Sequence, residues 1–305
     1  MIYTEISHNK QKTALLITFF LVLIIALGWV FSQYFQSPVL LPVAVGFSVF
    51  MSLGSYFYSD KIVLAMSRAK EINRTDDPEL FRSVENLAIA AGLPTPKIYL
   101  IDDTAPNAFA TGRDPKHAVV CITTGLRSKL TKPELEGVMA HELSHVGNYD
   151  IRLTTIIVVL VGVVTLLSDW MLRATFFGGR RRSNDNGGQI GAIMMIAGLV
   201  LAILSPIAAT LIQLAISRKR EYLADASGAL LTRYPEGLAS ALKKIATDQE
   251  PLEAANKATA HLYIVNPFKS GLSGRQAMSG LARLFDTHPP IQERIKRLEQ
   301  MNIGG

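Results

Sequence analysis

The sequence is poor in cysteine and in charge. One Cys among 305 residues excludes a disulfide framework and any zinc site built from cysteines. Charged residues make up 18% of the chain, against about 25% in an ordinary soluble protein. Hydrophobic residues reach 49%, and the mean hydropathy is +0.25. These values exclude a disordered chain and argue against a fully soluble one. They are typical of an integral membrane protein.

The sequence also lacks a basic stripe interleaved with aromatic residues, the pattern expected of a nucleic-acid-binding protein. The net charge is +6, and the positive residues lie mainly beside hydrophobic runs. This distribution indicates the lipid bilayer as a partner and excludes nucleic acid as one.

The longest apolar run carries no charged residue from Thr13 to Ser59. It is about twice as long as the roughly 20 residues that one spanning helix needs. Ser37 and Pro38 supply a turn near its middle, which predicts two helices at about 13–33 and 38–58. The run is too long for a cleaved signal peptide. We therefore expect residues 1–60 to form a retained N-terminal transmembrane hairpin.

Two further apolar runs, at 153–172 and about 190–216, predict a second membrane hairpin over residues 153–217. The expected number of membrane helices is therefore four. Asp169 shortens the charge-free part of the third run. Instead of spanning the membrane, this run could lie in the membrane–water interface or pack within the protein. Pro206 interrupts the fourth run.

The positions of Lys and Arg orient these hairpins. Positive residues lie at both outer ends of the first hairpin and are absent from its connection; they are Lys10, Lys12, Lys61, Arg68 and Lys70. This asymmetry places the N-terminus and the polar segment 61–152 in the cytoplasm. An even number of crossings in between would put the second polar segment, 218–305, on the same side. Positive residues normally lie on the cytoplasmic side of a membrane. The cluster Arg180–Arg182 contradicts this rule if both later runs span the membrane, because it would then lie on the opposite side.

The polar segments show helical patterns and a few short strands. Asp77–Ala91 predicts an amphipathic helix, and three β-rich runs at 97–102, 107–112 and 117–123 predict a small sheet of about three strands. Thr131 and Glu134 match a capping box, which predicts a helix from there to about Tyr149. Further helices are expected at 218–231, 235–246 and 290–301. The expected fold class is mostly α with a small β-sheet.

Residues 141–145 read His-Glu-Leu-Ser-His, on the helix that the capping box begins. Positions i and i+4 share one face of a helix, so His141 and His145 can direct both imidazoles at one ion. Two His ligands suit zinc. Glu142 lies beside such an ion, where it can take a proton from water. The alternative is a pair of solvated histidines on a helix surface.

A catalytic zinc site needs a third protein ligand. The candidates are Asp150, Glu221, His261 and His288. Asp150 lies far round the same helix. Glu221 is favoured because Asp225, one helical turn on, could then accept the N–H of a ligand histidine. On spacing alone, a surface Glu–Asp pair among basic residues fits equally well.

Together these motifs point to one family. The chain resembles the HtpX family of bacterial membrane zinc metalloproteases, related to the CAAX prenyl endopeptidases. The matching features are the His-Glu-Leu-Ser-His motif, Arg-Glu-Tyr-Leu-Ala-Asp at 220–225, Asn-Ala-Phe-Ala-Thr-Gly at 107–112, Thr-His-Pro-Pro at 287–290 and four apolar runs. The resemblance implies a zincin-type domain in which His141, His145 and Glu221 bind one Zn²⁺ and Glu142 is the catalytic base.

The resemblance also implies a setting. It predicts a multi-pass protein of the bacterial cytoplasmic (inner) membrane, with an active site that faces the cytoplasm. The expected reaction is hydrolysis of peptide bonds in misfolded or damaged membrane proteins during stress. It allows an ATP-dependent membrane protease as a partner.

Two more residues are assigned with the help of the resemblance. His288 precedes Pro289 and Pro290 and the last helix, and the matching His of the CAAX proteases predicts a catalytic hydrogen bond to an oxyanion. The alternative is an exposed turn histidine. Asn107 could turn the strand or bind a peptide substrate, and the resemblance favours substrate binding.

The sequence therefore predicts a peptidase domain that is assembled from 61–152 and 218–305 around a membrane hairpin. One alternative is a catalytically inactive membrane protein with a structural zinc site, acting as a scaffold or chaperone. An intact Glu142 argues against it, since a structural site needs no base. A transporter is the other, and the scarcity of charge in the apolar runs argues against that.

Overall fold

A computed structural model describes residues 2–34, 36–160, 218–255, 259, 262–265 and 289–301. These residues are mostly helical with one small mixed sheet. Several sequence predictions lie outside them: the fourth apolar run, residues 161–172 of the third run, His261 and His288.

Helices α1 (Ile2–Tyr34) and α2 (Leu40–Met66) pack against each other at the start of the chain. The burial pattern of α2 is the reverse of that in a helix of a soluble protein. The buried positions of α2 are mostly small and polar: Ser48, Ser52, Ser55 and Ser59. Large apolar side chains of α2 face outward instead, among them Phe47, Phe50, Leu53 and Phe57.

Small residues let the two helices approach closely, as they do in membranes. A Cβ added at Gly28 would lie 2.2 Å from the Cβ of Ala44. Ile6–Ala26 and Leu40–Met66 are long and apolar enough to cross a membrane. The first predicted hairpin thus corresponds to two candidate spans: the first has 21 residues but begins earlier than predicted, and the second, at 27 residues, extends beyond its charge-free part.

The sheet has four strands in the order β1-β2-β4-β3. They are β1 (Lys70–Glu71), β2 (Lys97–Ile101), β3 (Ala108–Thr111) and β4 (Val119–Thr123). Strands β2 and β4 are parallel, and the other two pairs are antiparallel. The three predicted strands are confirmed, and β1 is an addition of two residues, too short to show an alternating pattern. Strand β3 forms one edge of the sheet.

Besides a helical segment at 150–160 and a short 3-10 helix at Pro115–His117, the described residues include six shorter α-helices. They are α3 (Pro78–Ala90), α4 (Thr124–Lys129), α5 (Lys132–Gly147), α6 (Arg218–Thr232), α7 (Pro235–Thr247) and α8 (Ile291–Glu299). The Asp77 side chain caps α3 by accepting a hydrogen bond from the N–H of Leu80. Local capping chemistry therefore begins α3 close to where the sequence predicts.

Helix α5 lies at the centre of the main core, in contact with α3, β3, α6 and α7. At Gly137 it meets α7 so closely that an added Cβ would lie 2.7 Å from the Leu238 nitrogen. Residues 150–160 form a further helical segment. Its side chains pack on Leu16 and Phe20 of α1, so the described part of the third apolar run is buried within the protein.

Candidate metal centre

Helix α5 carries the His-Glu-Leu-Ser-His motif, and hydrogen bonds to Glu134 fix the N-terminus of this helix. The side chain of Glu134 accepts a hydrogen bond from the backbone N–H of Thr131, as the capping box predicts. It also accepts from Ser240 Oγ at 2.6 Å and Lys244 Nζ at 2.7 Å, both on α7. Burial alone would raise the pKa of Glu134, but these donors outweigh it and lower the pKa to about 2.

Three potential ligands converge beside α5. The Nε2 atoms of His141 and His145 are 3.2 Å apart. Carboxylate oxygens of Glu221, from α6, lie 3.9 Å from the first and 3.6 Å from the second. Two ligands of a tetrahedral zinc ion, with bonds of about 2.0–2.2 Å, are about 3.3–3.6 Å apart. The residues therefore fit a zinc ion in donor type and nearly in spacing.

Behind His141 stands the predicted carboxylate. Asp225 Oδ1 is 2.9 Å from His141 Nδ1, although the ring N–H does not point squarely at it. Arg294 of α8, 1% exposed, holds both Asp225 oxygens at 2.7 and 2.8 Å. Burial would raise the pKa of Asp225, but Arg294 and His141 lower it to about 2. Asp225 therefore stays ionised behind the ring.

His145 has an equivalent carboxylate partner. Asp150 Oδ2 lies 3.0 Å from His145 Nδ1, so this residue contacts the back of a ring and is not among the three converging donors. Its other oxygen accepts from Asn9 of α1 at 2.7 Å and Arg220 of α6 at 3.3 Å. Burial would lower the pKa of His145, but Asp150 and Glu221 raise it to about 9.

Glu142 opens onto the same cleft and is 2% exposed. Burial raises its pKa, and the two neighbouring histidines partly oppose that effect. The cleft is otherwise lined by Ala110, Asp150, Ile151, Thr154, Leu262 and Ile264. The predicted base therefore faces the space between His141, His145 and edge strand β3.

Asn107 is 1% exposed and lies at the start of β3. Its amide nitrogen donates to the carbonyl of Val265 at 2.9 Å. The N–H of Ile264 donates to the carbonyl of Ala108, also at 2.9 Å. In this structure, Asn107 thus holds a segment of its own chain against the strand. Its predicted contact with substrate is a matter for experiment.

Sequence reasoning missed Asn9, Arg220 and Arg294, and it weighed Asp150 only as a ligand. Arg220 and Arg294 read in the sequence as ordinary polar residues of a helix, and Asn9 precedes the first predicted helix. Arg220 and Asn9 are 211 positions apart, and Arg294 and Asp225 are 69 apart. Helical spacing cannot connect residues so far apart in sequence. That these arginines are buried can be seen only in the folded structure.

A helical His-Glu-x-x-His motif, with a carboxylate from a second helix and a carboxylate behind each ring, defines a metallopeptidase class of site. Residues 74–302 match the profile of Peptidase family M48. The chain therefore belongs to peptidase family M48, and it is a metalloprotease.

Relatives cover the chain almost completely. A Protease HtpX homolog of Dictyoglomus thermophilum is 47% identical over 300 residues, 98% of this chain and 94% of the relative. One of Tropheryma whipplei is 45% identical, covering 99% of both. These matches confirm the HtpX resemblance and do not favour an inactive scaffold. The crystal structure of S. mikatae Ste24p covers 97% of this chain and 67% of that one, at 19% identity and a TM-score of 0.49, too distant to inform the site.

Proposed function

We propose that this membrane metalloprotease is a zinc endopeptidase whose ion is held by His141, His145 and Glu221. The main support is the convergence of two imidazoles and one carboxylate, whose ligand atoms lie within 4.8 Å of one another. Neutral imidazole and carboxylate are ligands that zinc accepts. Asp225 and Asp150 orient the two rings, because each contacts the nitrogen that faces away from the ion.

Glu142 is the group that moves the proton. Zinc, when bound, supplies a Lewis acid that polarises the scissile carbonyl and makes water more acidic. A Glu142 oxygen takes one proton as the water oxygen bonds to the carbonyl carbon. The C–N bond then breaks, and the same oxygen returns the proton to the leaving amine nitrogen. Glu142 begins and ends the cycle as a carboxylate.

His288 and Asn107 complete the proposal. His288 would donate a hydrogen bond to the oxyanion that forms from the scissile carbonyl. Asn107 would bind the peptide backbone near β3, where an extended substrate can add to the edge of the sheet. Since the Asn107 amide holds Val265 in this structure, substrate binding there would require residues 262–265 to leave the strand.

The setting we propose follows from the apolar runs and the distribution of positive charge. Residues 1–60 and 153–217 form two membrane hairpins, four helices in all, and 61–152 and 218–305 form the peptidase body. That body faces the cytoplasm from a bacterial inner membrane. Its substrates are misfolded or damaged membrane proteins, and it could act beside an ATP-dependent membrane protease.

The test compares Glu142→Gln with Glu236→Gln, which alters an exposed carboxylate on α7. Casein cleavage by the purified chain in detergent is measured with and without a chelator, and bound zinc is measured in parallel. Glu142→Gln should keep its zinc and lose at least about 10²–10⁴-fold in turnover, because its amide cannot accept the proton. Glu236→Gln should match wild type. Cleavage by Glu142→Gln at the wild-type rate, or cleavage that survives removal of the metal, would contradict the proposal.

A further inference from the structure

Asn9 lies on α1, near the start of a candidate membrane span, yet it is 1% exposed. Its amide nitrogen donates to Asp150 Oδ1 at 2.7 Å and to the Asn148 carbonyl at 2.9 Å. Its amide oxygen accepts from Arg220 Nη1 at 3.0 Å. One side chain thus joins α1, α6 and the turn that follows α5.

These partners fix the orientation of the amide. Both N–H groups of Asn9 face acceptors, and its oxygen faces a guanidinium. A flipped amide would place its oxygen against the Asp150 carboxylate and the Asn148 carbonyl, and its N–H groups against Arg220. The arrangement therefore leaves Asn9 one favourable position.

Asp150 connects the fixed Asn9 amide to the imidazole ring of His145. Its Oδ1 is held by Asn9 and Arg220, and its Oδ2 contacts His145 Nδ1 at 3.0 Å. A carboxylate that is fixed at one oxygen can fix the ring plane at the other, and with it the direction of Nε2. Partners of this kind, one step behind a ligand, are typically worth about 10–100-fold in metal affinity or activity.

We propose that Asn9 is a positioning residue for the metal centre, acting on His145 through Asp150. The N-terminal helix α1 is then a structural part of the peptidase site as well as a candidate membrane anchor. This inference rests on the proposed function, since it requires that His145 bind zinc.

The test measures the zinc affinity of the full-length chain in detergent by competition with a chromogenic chelator. Asn9→Ala should lower the affinity roughly tenfold, at the lower end of the range for such partners. Thr13→Val is the matched control, because Thr13 is buried one turn further along α1 and its hydroxyl bonds to the Asn9 carbonyl. It should keep the wild-type affinity.

A double-mutant cycle separates positioning from helix packing. In an Asp150→Ala background, Asn9→Ala should cause little further loss, since the residue through which it acts is gone. A packing role would give the same loss in both backgrounds, and so would overturn the inference. Asn9→Asp keeps the shape but replaces the donor with a carboxylate that repels Asp150. It should therefore weaken zinc binding even if the alanine variant fails to fold.

The outcomes distinguish the inference from the proposal on which it rests. If wild type binds no zinc, or Glu221→Ala binds it normally, the proposed zinc centre fails and the inference fails with it. If wild type binds zinc, Glu221→Ala does not, and a folded Asn9→Ala keeps wild-type affinity, the inference alone is wrong.

Discussion

Substitution of Gly228 by Ala tests whether the separation of α5 and α6 sets the geometry of the metal centre. Gly228 is on α6, two turns beyond Glu221, and faces α5. An added Cβ would lie 2.9 Å from the His141 nitrogen and 3.2 Å from both the His141 Cα and the Ala140 carbonyl carbon. All three contacts are with backbone, so no side chain can rotate away to relieve them.

The size of the displacement follows from these distances. Ordinary contact of about 3.5 Å requires the two helices to separate by roughly 0.5 Å. Functional sites must be held to within about 0.5 Å, and a 1 Å error can cost about 10²-fold in rate. We expect Gly228→Ala to lose about tenfold in turnover and to bind zinc more weakly. Overpacking should cost about 1–3 kcal/mol, offset by up to about 1 kcal/mol of gained helix propensity.

The assay combines casein turnover, chelator competition and thermal unfolding. Gly137→Ala is the informative control, because its Cβ would lie 2.7 Å from the Leu238 nitrogen, between α5 and α7. It should lose comparable stability but keep zinc affinity closer to wild type. Gly54→Ala has no heavy atom within 4 Å of its added Cβ. It should keep wild-type turnover and zinc affinity and gain up to about 1 kcal/mol of helix propensity. A Gly228→Ala enzyme with wild-type affinity and turnover would refute the argument.

The other predictions concern two buried carboxylates. Asp225→Asn should bind zinc about 10–100-fold more weakly by chelator competition. It should also lower the free energy of unfolding by about 3–5 kcal/mol in thermal or denaturant unfolding, because Arg294 loses its buried counter-charge. Glu134→Ala should cost about 1–3 kcal/mol through its capping and inter-helix hydrogen bonds, with little change in zinc affinity. The pKa of Glu134 is lowered from 4.5 to about 2, so its contribution is full above about pH 4.5 and is lost as the pH falls toward 2. Unfolding midpoints of wild type and Glu134→Ala should therefore converge in that interval.

The elements with local signals were predictable from sequence. The capping box at Thr131 and Glu134 predicts where α5 begins, and the i, i+4 spacing predicts that His141 and His145 share a face. The same spacing selected Glu221 and Asp225 as a pair. In each case the interacting residues lie within one or two helical turns, so the sequence pattern itself encodes the contact.

The parts that were missed depend on chain segments far apart in sequence. Asn9 and Asp150 are 141 positions apart, and nothing near either residue indicates the other. Arg220 and Arg294 resemble the surface arginines that most helices carry, because burial of a charge depends on which helices pack together. The serine face of α2 is a similar case, since an apolar run does not reveal which of its faces meets protein and which meets lipid.

The charges around the site give these missed arginines a physical role. The carboxylates of Glu142, Asp150, Glu221 and Asp225 are all at most 5% exposed, and so carry four negative charges if ionised. The guanidinium groups of Arg220 and Arg294, at 6% and 1% exposure, contribute two positive charges. The pKa of His145 is raised to about 9, so this ring is protonated in the absence of a metal. Once both rings are neutral, as zinc ligands must be, this buried group has a net charge of −2, and uncompensated charge is costly in a buried site. One divalent cation cancels that charge. Arg220 and Arg294 contact the two carboxylates behind the rings, and Arg294 also lies 3.6 Å from Glu221. The proposed ion would supply the remaining positive charge.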